Sequence, residues 1–91
     1  MTTYLVEAYM PATVDVAEVE SRVRAATAQL AESDAEVRYL RSIFVPDDEL
    51  CMHLFDAASK EAVSELARRA GISADRIAEA APSAIPRTEE P

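Results

Sequence analysis

Two side chains in this sequence are suited to binding soft metal ions or to moving protons at neutral pH. Cys51 is the only cysteine, His53 is the only histidine, and they stand two positions apart. Thiolate and imidazole groups bind nickel, zinc and copper, and an imidazole also acts as a general base. Cys51 and His53 are therefore the candidate metal ligands. The alternative is a partly buried histidine that hydrogen-bonds to Ser42 without any metal.

A second group of polar side chains stands among apolar neighbours, in segments with the composition of strands. It comprises Glu7, Tyr9, Tyr39 and Arg41, together with Glu79 near the end of the chain. An arginine in such a place recognises carboxylate or carbonyl oxygens, and a glutamate can serve as an acid or a base. These residues are the candidate ligand-binding groups for a small organic molecule. The alternative is a structural Glu–Arg pair, since charges buried in an interface persist when they are paired.

Other kinds of chemistry find less support in the sequence. Asp47, Asp48 and Glu49 offer oxygen ligands for calcium, but they lack the rest of a calcium-loop pattern, which favours a solvated turn. Cys51 could act as a nucleophile only if His53 served as its base. The chain has a single glycine, which excludes a glycine-rich phosphate loop. We expect a binding protein rather than an enzyme.

Length and charge narrow the possible partners and the compartment. A chain of 91 residues fits one domain and leaves much of its surface in water unless a partner covers it. Its net charge of -8 argues against nucleic acid and anionic membranes as partners. One cysteine excludes an internal disulfide and suits the reducing cytoplasm. No segment approaches the roughly 20 apolar residues that span a bilayer, so we expect a cytoplasmic protein.

The pattern of apolar residues and chain breakers predicts six elements. Strands are expected over residues 3–10, 37–45, 50–55 and 76–81, and helices over residues 16–32 and from Ser59 to Gly71. Asp15 and Glu18 form a capping-box pattern, while Ser59 and Gly71 suit the two ends of the second helix. This order gives a ferredoxin-like β-α-β-β-α-β fold, with two helices on one face of a four-stranded antiparallel sheet. Residues 1–81 form the predicted domain, and residues 82–91 a flexible, proline-rich acidic tail.

The predicted hairpin assigns side chains to the two faces of the sheet. Its four-residue loop pairs Ile43 with Met52 and Arg41 with Leu54. An arginine without a partner would be costly under the helices, so these residues and Tyr39 are assigned to the uncovered face. Glu7 and Tyr9 join them there, and the helix-covered face receives Leu40, Ser42, Phe44, Cys51, His53 and Phe55. A mostly apolar uncovered face usually marks an interface, which predicts a homodimer joined sheet to sheet.

Several segments resemble a family of small bacterial ferredoxin-like proteins, largely of unknown function, that includes nickel-binding members. They are residues 4–7 (YLVE), 37–42 (VRYLRS), 44–46 (FVP), 59–63 (SKEAV) and 70–71 (AG), within roughly residues 4 to 80. The resemblance implies the same fold, a dimer and, for some members, a nickel site built with histidines. This chain has one histidine, so a single subunit supplies no histidine cluster.

These observations lead to one principal hypothesis and two alternatives. The principal hypothesis is a homodimeric binding protein whose ligand, nickel or another divalent transition metal, is suggested by the resemblance. The first alternative is a dimeric α/β-barrel enzyme or carrier that holds a small organic molecule between its two sheets. The second is a structural interaction module.

Overall fold

The computed structural model describes residues 1–81 as one four-stranded sheet and two helices. The elements are β1 (Thr2–Tyr9), α1 (Val16–Glu32), β2 (Val37–Val45), β3 (Leu50–Ala57), α2 (Lys60–Ala70) and β4 (Ala74–Glu79), with a 3-10 turn at Pro46–Asp48. The strands are antiparallel in the order β2-β3-β1-β4. The predicted ferredoxin-like fold is confirmed. The tail predicted at residues 82–91 lies outside the described residues.

The helix ends follow from local side-chain chemistry. Asp15 accepts a hydrogen bond from the backbone N–H of Ala17, and Ser59 accepts one from Ala62, so α1 and α2 begin where their caps predict. Gly71 ends α2 in the left-handed conformation, with φ at 72°. No helix in residues 1–81 is both long enough and apolar enough to span a membrane.

Both helices pack against the same side of the sheet, which we call the covered face; the other side is the open face. Alternate residues of β1 and β3 point to the covered face and are buried, with Val6 and Phe55 at zero exposure. Val23 of α1 and Leu66 of α2 are buried in the same core cluster as Val6 and Phe55. The core therefore lies entirely between the helices and one side of the sheet.

The hairpin of β2 and β3 has the predicted register in the half next to its turn, from Val45 back to Arg41. Ile43 lies opposite Met52, and Arg41 lies opposite Leu54. Beyond Arg41 the register shifts by one residue, since Tyr39 pairs with Phe55. Leu40 is thus a β-bulge with no partner in the ladder.

This bulge corrects two predictions about β2. Tyr39 was assigned to the open face, but it packs into the covered core, with its ring centroid 5.5 Å from that of Phe55. Leu40 was assigned to the covered face, but it is 41% exposed. Strict alternation fails here because the bulge adds one residue to β2 without adding one to β3.

The last strand begins two residues earlier than predicted and contains a second irregularity. Glu7 pairs with Arg76 and Ala8 with Ala74, which leaves Asp75 as the extra residue. Its carboxylate accepts a hydrogen bond from the backbone N–H of Tyr9 at 2.9 Å. The side chain of Asp75 thus satisfies a strand donor beside the point where the ladder is interrupted.

Candidate functional site

A chain of hydrogen bonds ties His53 to β2 beneath the helices. His53 is completely buried, and its Nδ1 lies 2.6 Å from the hydroxyl oxygen of Ser42. That oxygen lies 2.5 Å from the hydroxyl of Tyr39, whose ring is covered by the guanidinium of Arg24 at 5.1 Å. The sequence predicted the contact between His53 and Ser42 from the hairpin register. It missed the third member, Tyr39, because the bulge was not foreseen.

The hydrogen positions follow from giving each hydroxyl hydrogen an acceptor. Tyr39 donates to Ser42, and Ser42 donates to Nδ1 of His53. The reverse direction would leave the Tyr39 hydrogen without an acceptor among the described residues. In this arrangement the imidazole carries its own hydrogen on Nε2, and that atom is buried without any hydrogen-bond partner in residues 1–81. Burial lowers the pKa of His53 to about 4, so the ring is neutral at pH 7.

Cys51 lies beside this network without the properties of an activated thiol. Its Sγ is 3.9 Å from Nδ1 of His53, and the residue has no exposed surface. Burial raises the pKa of the Cys51 thiol, with a smaller contribution from the negative charge of Glu20. A protonated, inaccessible thiol is a poor nucleophile and a poor metal ligand.

The donor set around Cys51 and His53 does not fit a metal centre formed within residues 1–81 of one chain. The thiol approaches the same ring nitrogen that Ser42 already occupies. Within residues 1–81 there is no group of three or more His, Cys, Asp and Glu side chains that could hold a metal ion. The acidic turn at Asp47, Asp48 and Glu49 is exposed, as a solvated turn would be.

The open face gathers part of the predicted ligand-binding group. Tyr9 is 58% exposed and Arg41 is also exposed, and both point to this side. Glu7 points there too, but its carboxylate is bound by Arg76 at 3.0 Å. Strand β3 lies between Glu7 of β1 and Arg41 of β2. Glu7 is opposite Met52 and Arg41 is opposite Leu54, so the two side chains are also offset along the strands. Glu7 and Arg41 therefore do not form a pair within one chain.

Two members of that predicted group lie on the other side of the sheet. Tyr39 belongs to the covered core, as described above. Glu79 pairs with Tyr4, a buried residue of the covered face, so it does not converge with Glu7 and Arg41. Sequence reasoning missed Arg76 as the partner of Glu7. The pairing of β1 with β4 places the two residues opposite each other, so a predicted register for these strands would have found the pair.

A cavity of about 150 Å³ lies at the end of β1, beneath the start of α1 and beside the turn after α2. His53 forms part of its lining, and Met10, Val14, Val19 and Ile72 supply apolar walls. Arg22 of α1 also lines it and reaches toward Gly71, with Nη1 3.7 Å from the position that a Cβ would occupy there. Sequence reasoning did not find this cavity, since its lining comes from five separate segments.

The fold and these sites define the class of the protein: a small ferredoxin-like protein with a buried imidazole network and an uncovered sheet face. A family model described as "Nickel responsive protein SCO4226-like" matches residues 4–80, and the chain belongs to this family. Its structure is similar to the crystal structure of SCO4226 from Streptomyces coelicolor A3(2). The two share 25% sequence identity with a TM-score of 0.71, over 90% of this chain and 99% of that chain. No match was found among curated proteins.

These comparisons confirm the family that the sequence resembles. The family description names a response to nickel, and this supports a connection of the family with nickel.

Proposed function

We propose that this chain works in the cytoplasm as a homodimeric binding protein, joined through the open faces of two sheets, with nickel as its ligand. The observation that carries the proposal is the apolar surface left on the open face. Ile43 is 43% exposed and Tyr9 is 58% exposed, and both adjoin half-buried side chains of β1 and β3, including Leu5, Leu50, Met52 and Leu54. A contiguous apolar surface of this kind is usually covered by a partner.

The charges on the open face favour a second copy of the chain as that partner. Three arginines and two carboxylates lie there: Arg38, Arg41, Arg76, Glu7 and Asp56. The whole chain carries a net charge of -8, so its acidic surplus lies elsewhere on the molecule. Two open faces can therefore approach without strong like-charge repulsion.

Within one chain, most of these charges are already neutralised in the plane of the sheet. Arg38 binds Asp56 at 3.0 Å, and Asp56 also accepts a hydrogen bond from Thr3. Glu7 is bound by Arg76. Arg41 makes no ion pair within residues 1–81 and is the charge that a partner would have to accommodate.

Nickel enters the proposal through the family description alone. Because Cys51 and His53 do not form a metal centre in one chain, we assign the nickel ligands to donors that the dimer brings together. A cytoplasmic location agrees with a single free cysteine that is buried.

The test combines oligomeric state with metal uptake. Sedimentation equilibrium should show a dimer for the unmodified protein and a monomer for Ile43→Asp, which places a charge on the open face. Ala28→Asp is the matched control, since it adds the same charge to the exposed side of α1 and should stay dimeric. A monomeric unmodified protein would refute the sheet-to-sheet dimer, as would a dimeric Ile43→Asp variant.

Metal uptake is measured by native mass spectrometry before and after one equivalent of nickel. The dimer should take up nickel, and His53→Gln should retain it, since His53 is engaged with Ser42. Nickel lost in His53→Gln would contradict our assignment of the ligands. A dimer that takes up no nickel would contradict the metal part of the proposal and leave the dimer intact.

One observation favours the organic-ligand alternative, in which the dimer is an enzyme or carrier. Arg41 is exposed on the same face as Tyr9 and has no ion pair within residues 1–81, so it is available to a carboxylate held between two sheets. Glu7 is a weaker candidate because Arg76 already holds its carboxylate. A crystal structure of the dimer with a dry, filled interface around Arg41 would exclude this alternative.

A further inference from the structure

We propose that the cavity bounded by His53 and Arg22 is a binding site for a small organic anion, a monocarboxylate with a compact apolar body. The site lies on the covered side of the sheet and does not depend on the open face or on nickel. Its volume of about 150 Å³ is close to that of apolar cavities that accept a six-membered ring.

One ring nitrogen of His53 is left without a hydrogen bond within residues 1–81. Nδ1 is engaged with Ser42 on β2, whereas the cavity lies at the end of β1, on the other side of β3. His53 lines the cavity, and the ring nitrogen that has no partner in residues 1–81 is Nε2, which is buried and which a ligand reaches only when the lining side chains shift. Buried polar atoms are nearly always hydrogen-bonded, and each exception requires an explanation. A ligand oxygen that accepts from Nε2–H supplies the missing bond.

The charge and polarity of the cavity lining favour an anionic ligand. Arg22 lies at the cavity and makes no ion pair within residues 1–81, so its guanidinium can bind a carboxylate by paired hydrogen bonds. His53 is neutral and offers a donor rather than a second charge. Arg22 and His53 both favour a ligand that accepts hydrogen bonds. Because only Arg22 is charged, the ligand should carry a single negative charge.

Much of the remaining wall of the cavity is apolar and favours a ligand with an apolar body. Val14, Val19 and Ile72 line the cavity and pack against the core. Apolar walls with a few convergent polar groups are the usual composition of a small-molecule site. A branched or aromatic carboxylate fits this combination better than a polar one.

The experiment uses the single histidine as its own reporter. In a long-range ¹H–¹⁵N spectrum the only imidazole signals belong to His53, so Nε2 can be followed without assignment by mutation. Benzoate and isobutyrate are titrated at pH 7 into the full chain, with benzamide and isobutyramide as uncharged counterparts. We expect saturable shifts of Nε2 with the carboxylates and much weaker binding of the amides. Amides that bind as well as the carboxylates would refute the anion class, and carboxylates that leave the His53 signals unmoved would refute the site.

A pair of variants separates the site from general effects of charge. Arg22→Gln should weaken carboxylate binding by about tenfold or more, the loss expected for one charge-assisted contact. Arg41→Gln is the matched control, since Arg41 is exposed on the open face, makes no ion pair within residues 1–81 and should leave binding unchanged. Equal affinities for these two variants would overturn the proposal. Binding by the Ile43→Asp variant should match that of the unmodified protein, so the result is independent of the dimer.

Discussion

The two faces of the sheet are built from alternate residues of the same strands, yet their side chains are buried to different extents within one chain. On the covered face, Val6, Phe55 and His53 have no exposed surface, and the core closes around them. On the open face, Tyr9 and Ile43 keep about half of theirs, at 58% and 43%. The polar groups also differ: Nε2 of His53 on the covered face has no partner within residues 1–81, whereas Glu7 on the open face is bound by Arg76. The covered face therefore holds the core of the fold, and the open face is the surface through which we propose that the chain dimerises.

The largest expected effect compares one aromatic residue of the covered face with one aliphatic residue of the open face. Phe55→Ala removes a fully buried ring and should lower the free energy of unfolding by about 3–5 kcal/mol. Ile43→Ala should cost about 1 kcal/mol in dilute protein, where the proposed dimer is dissociated, because nearly half of the side chain is already in water. Urea denaturation over a range of protein concentrations measures both.

At higher concentration the cost of Ile43→Ala should grow, because dimerisation stabilises only the folded chain. If Ile43→Ala were as costly as Phe55→Ala in dilute protein, the distinction between the two faces would fail. Phe55→Leu provides a milder variant in case the alanine substitution leaves too little folded protein to measure.

The next effect uses His53, a fully buried group of the covered face whose pKa is shifted below neutral pH. The pKa of His53 is about 4 in the folded chain and near 6.5 when exposed, so the unfolded chain binds more protons between these values. The stability that His53 contributes is therefore complete above pH 6.5 and is lost as the pH falls toward 4. The expected loss is roughly 3 kcal/mol, obtained from a difference of about 2.5 pKa units at 1.36 kcal/mol each. Urea denaturation at several pH values measures this slope.

His53→Gln is the control and should flatten the slope between about pH 6.5 and 5.5, above the range in which exposed carboxylates protonate. The other groups near the imidazole, Cys51 and Tyr39, have raised pKa values and do not titrate in this window. Asp56 and Glu65 have pKa values lowered chiefly by hydrogen bonds from Thr3 and Arg68. Their contributions begin to fall about one pH unit above the pKa of an exposed carboxylate, at about pH 5.5. A slope that persists between about pH 6.5 and 5.5 in His53→Gln would contradict the assignment to His53.

The features that the sequence predicted correctly are those with local signals. Asp15, Ser59 and Gly71 act within one helical turn of their own positions, so their residue types were enough to place the helix ends. The pairing of Ile43 with Met52 followed from the length of the hairpin loop. The contact of His53 with Ser42 was then a consequence of the same register.

The features that were missed depend on events that leave no local signal. Leu40 is an ordinary strand residue, and nothing in its type marks it as the extra residue of a bulge, so Tyr39 was placed on the wrong face. Asp75 is the extra residue of β4, and because of it Ala8 pairs with Ala74. The cavity beside His53 is a void between distant segments, and a void depends on packing that no sequence pattern expresses.

The smallest expected effect tests the Leu40 bulge directly. Deleting Leu40 should restore regular alternation while Tyr39 stays opposite Phe55 and Arg41 stays opposite Leu54. We expect a loss of about 1 kcal/mol, the centre of the range for single changes. The chemical shifts of the His53 ring should be the same as in the unmodified protein.

Deleting Ile43 is the matched control, since it shortens the same strand by one residue on the other side of Arg41. The bulge could then absorb the deletion only by moving Arg41 opposite His53, under the helices, and by removing Ser42 from Nδ1. An arginine buried there without a partner is costly, so this variant should be much less stable than the Leu40 deletion. Comparable losses for the two deletions would mean that Leu40 has a packing role beyond that of an extra residue. The two faces of β2 would then be fixed by Leu40 itself rather than by the contacts of Tyr39 and Arg41.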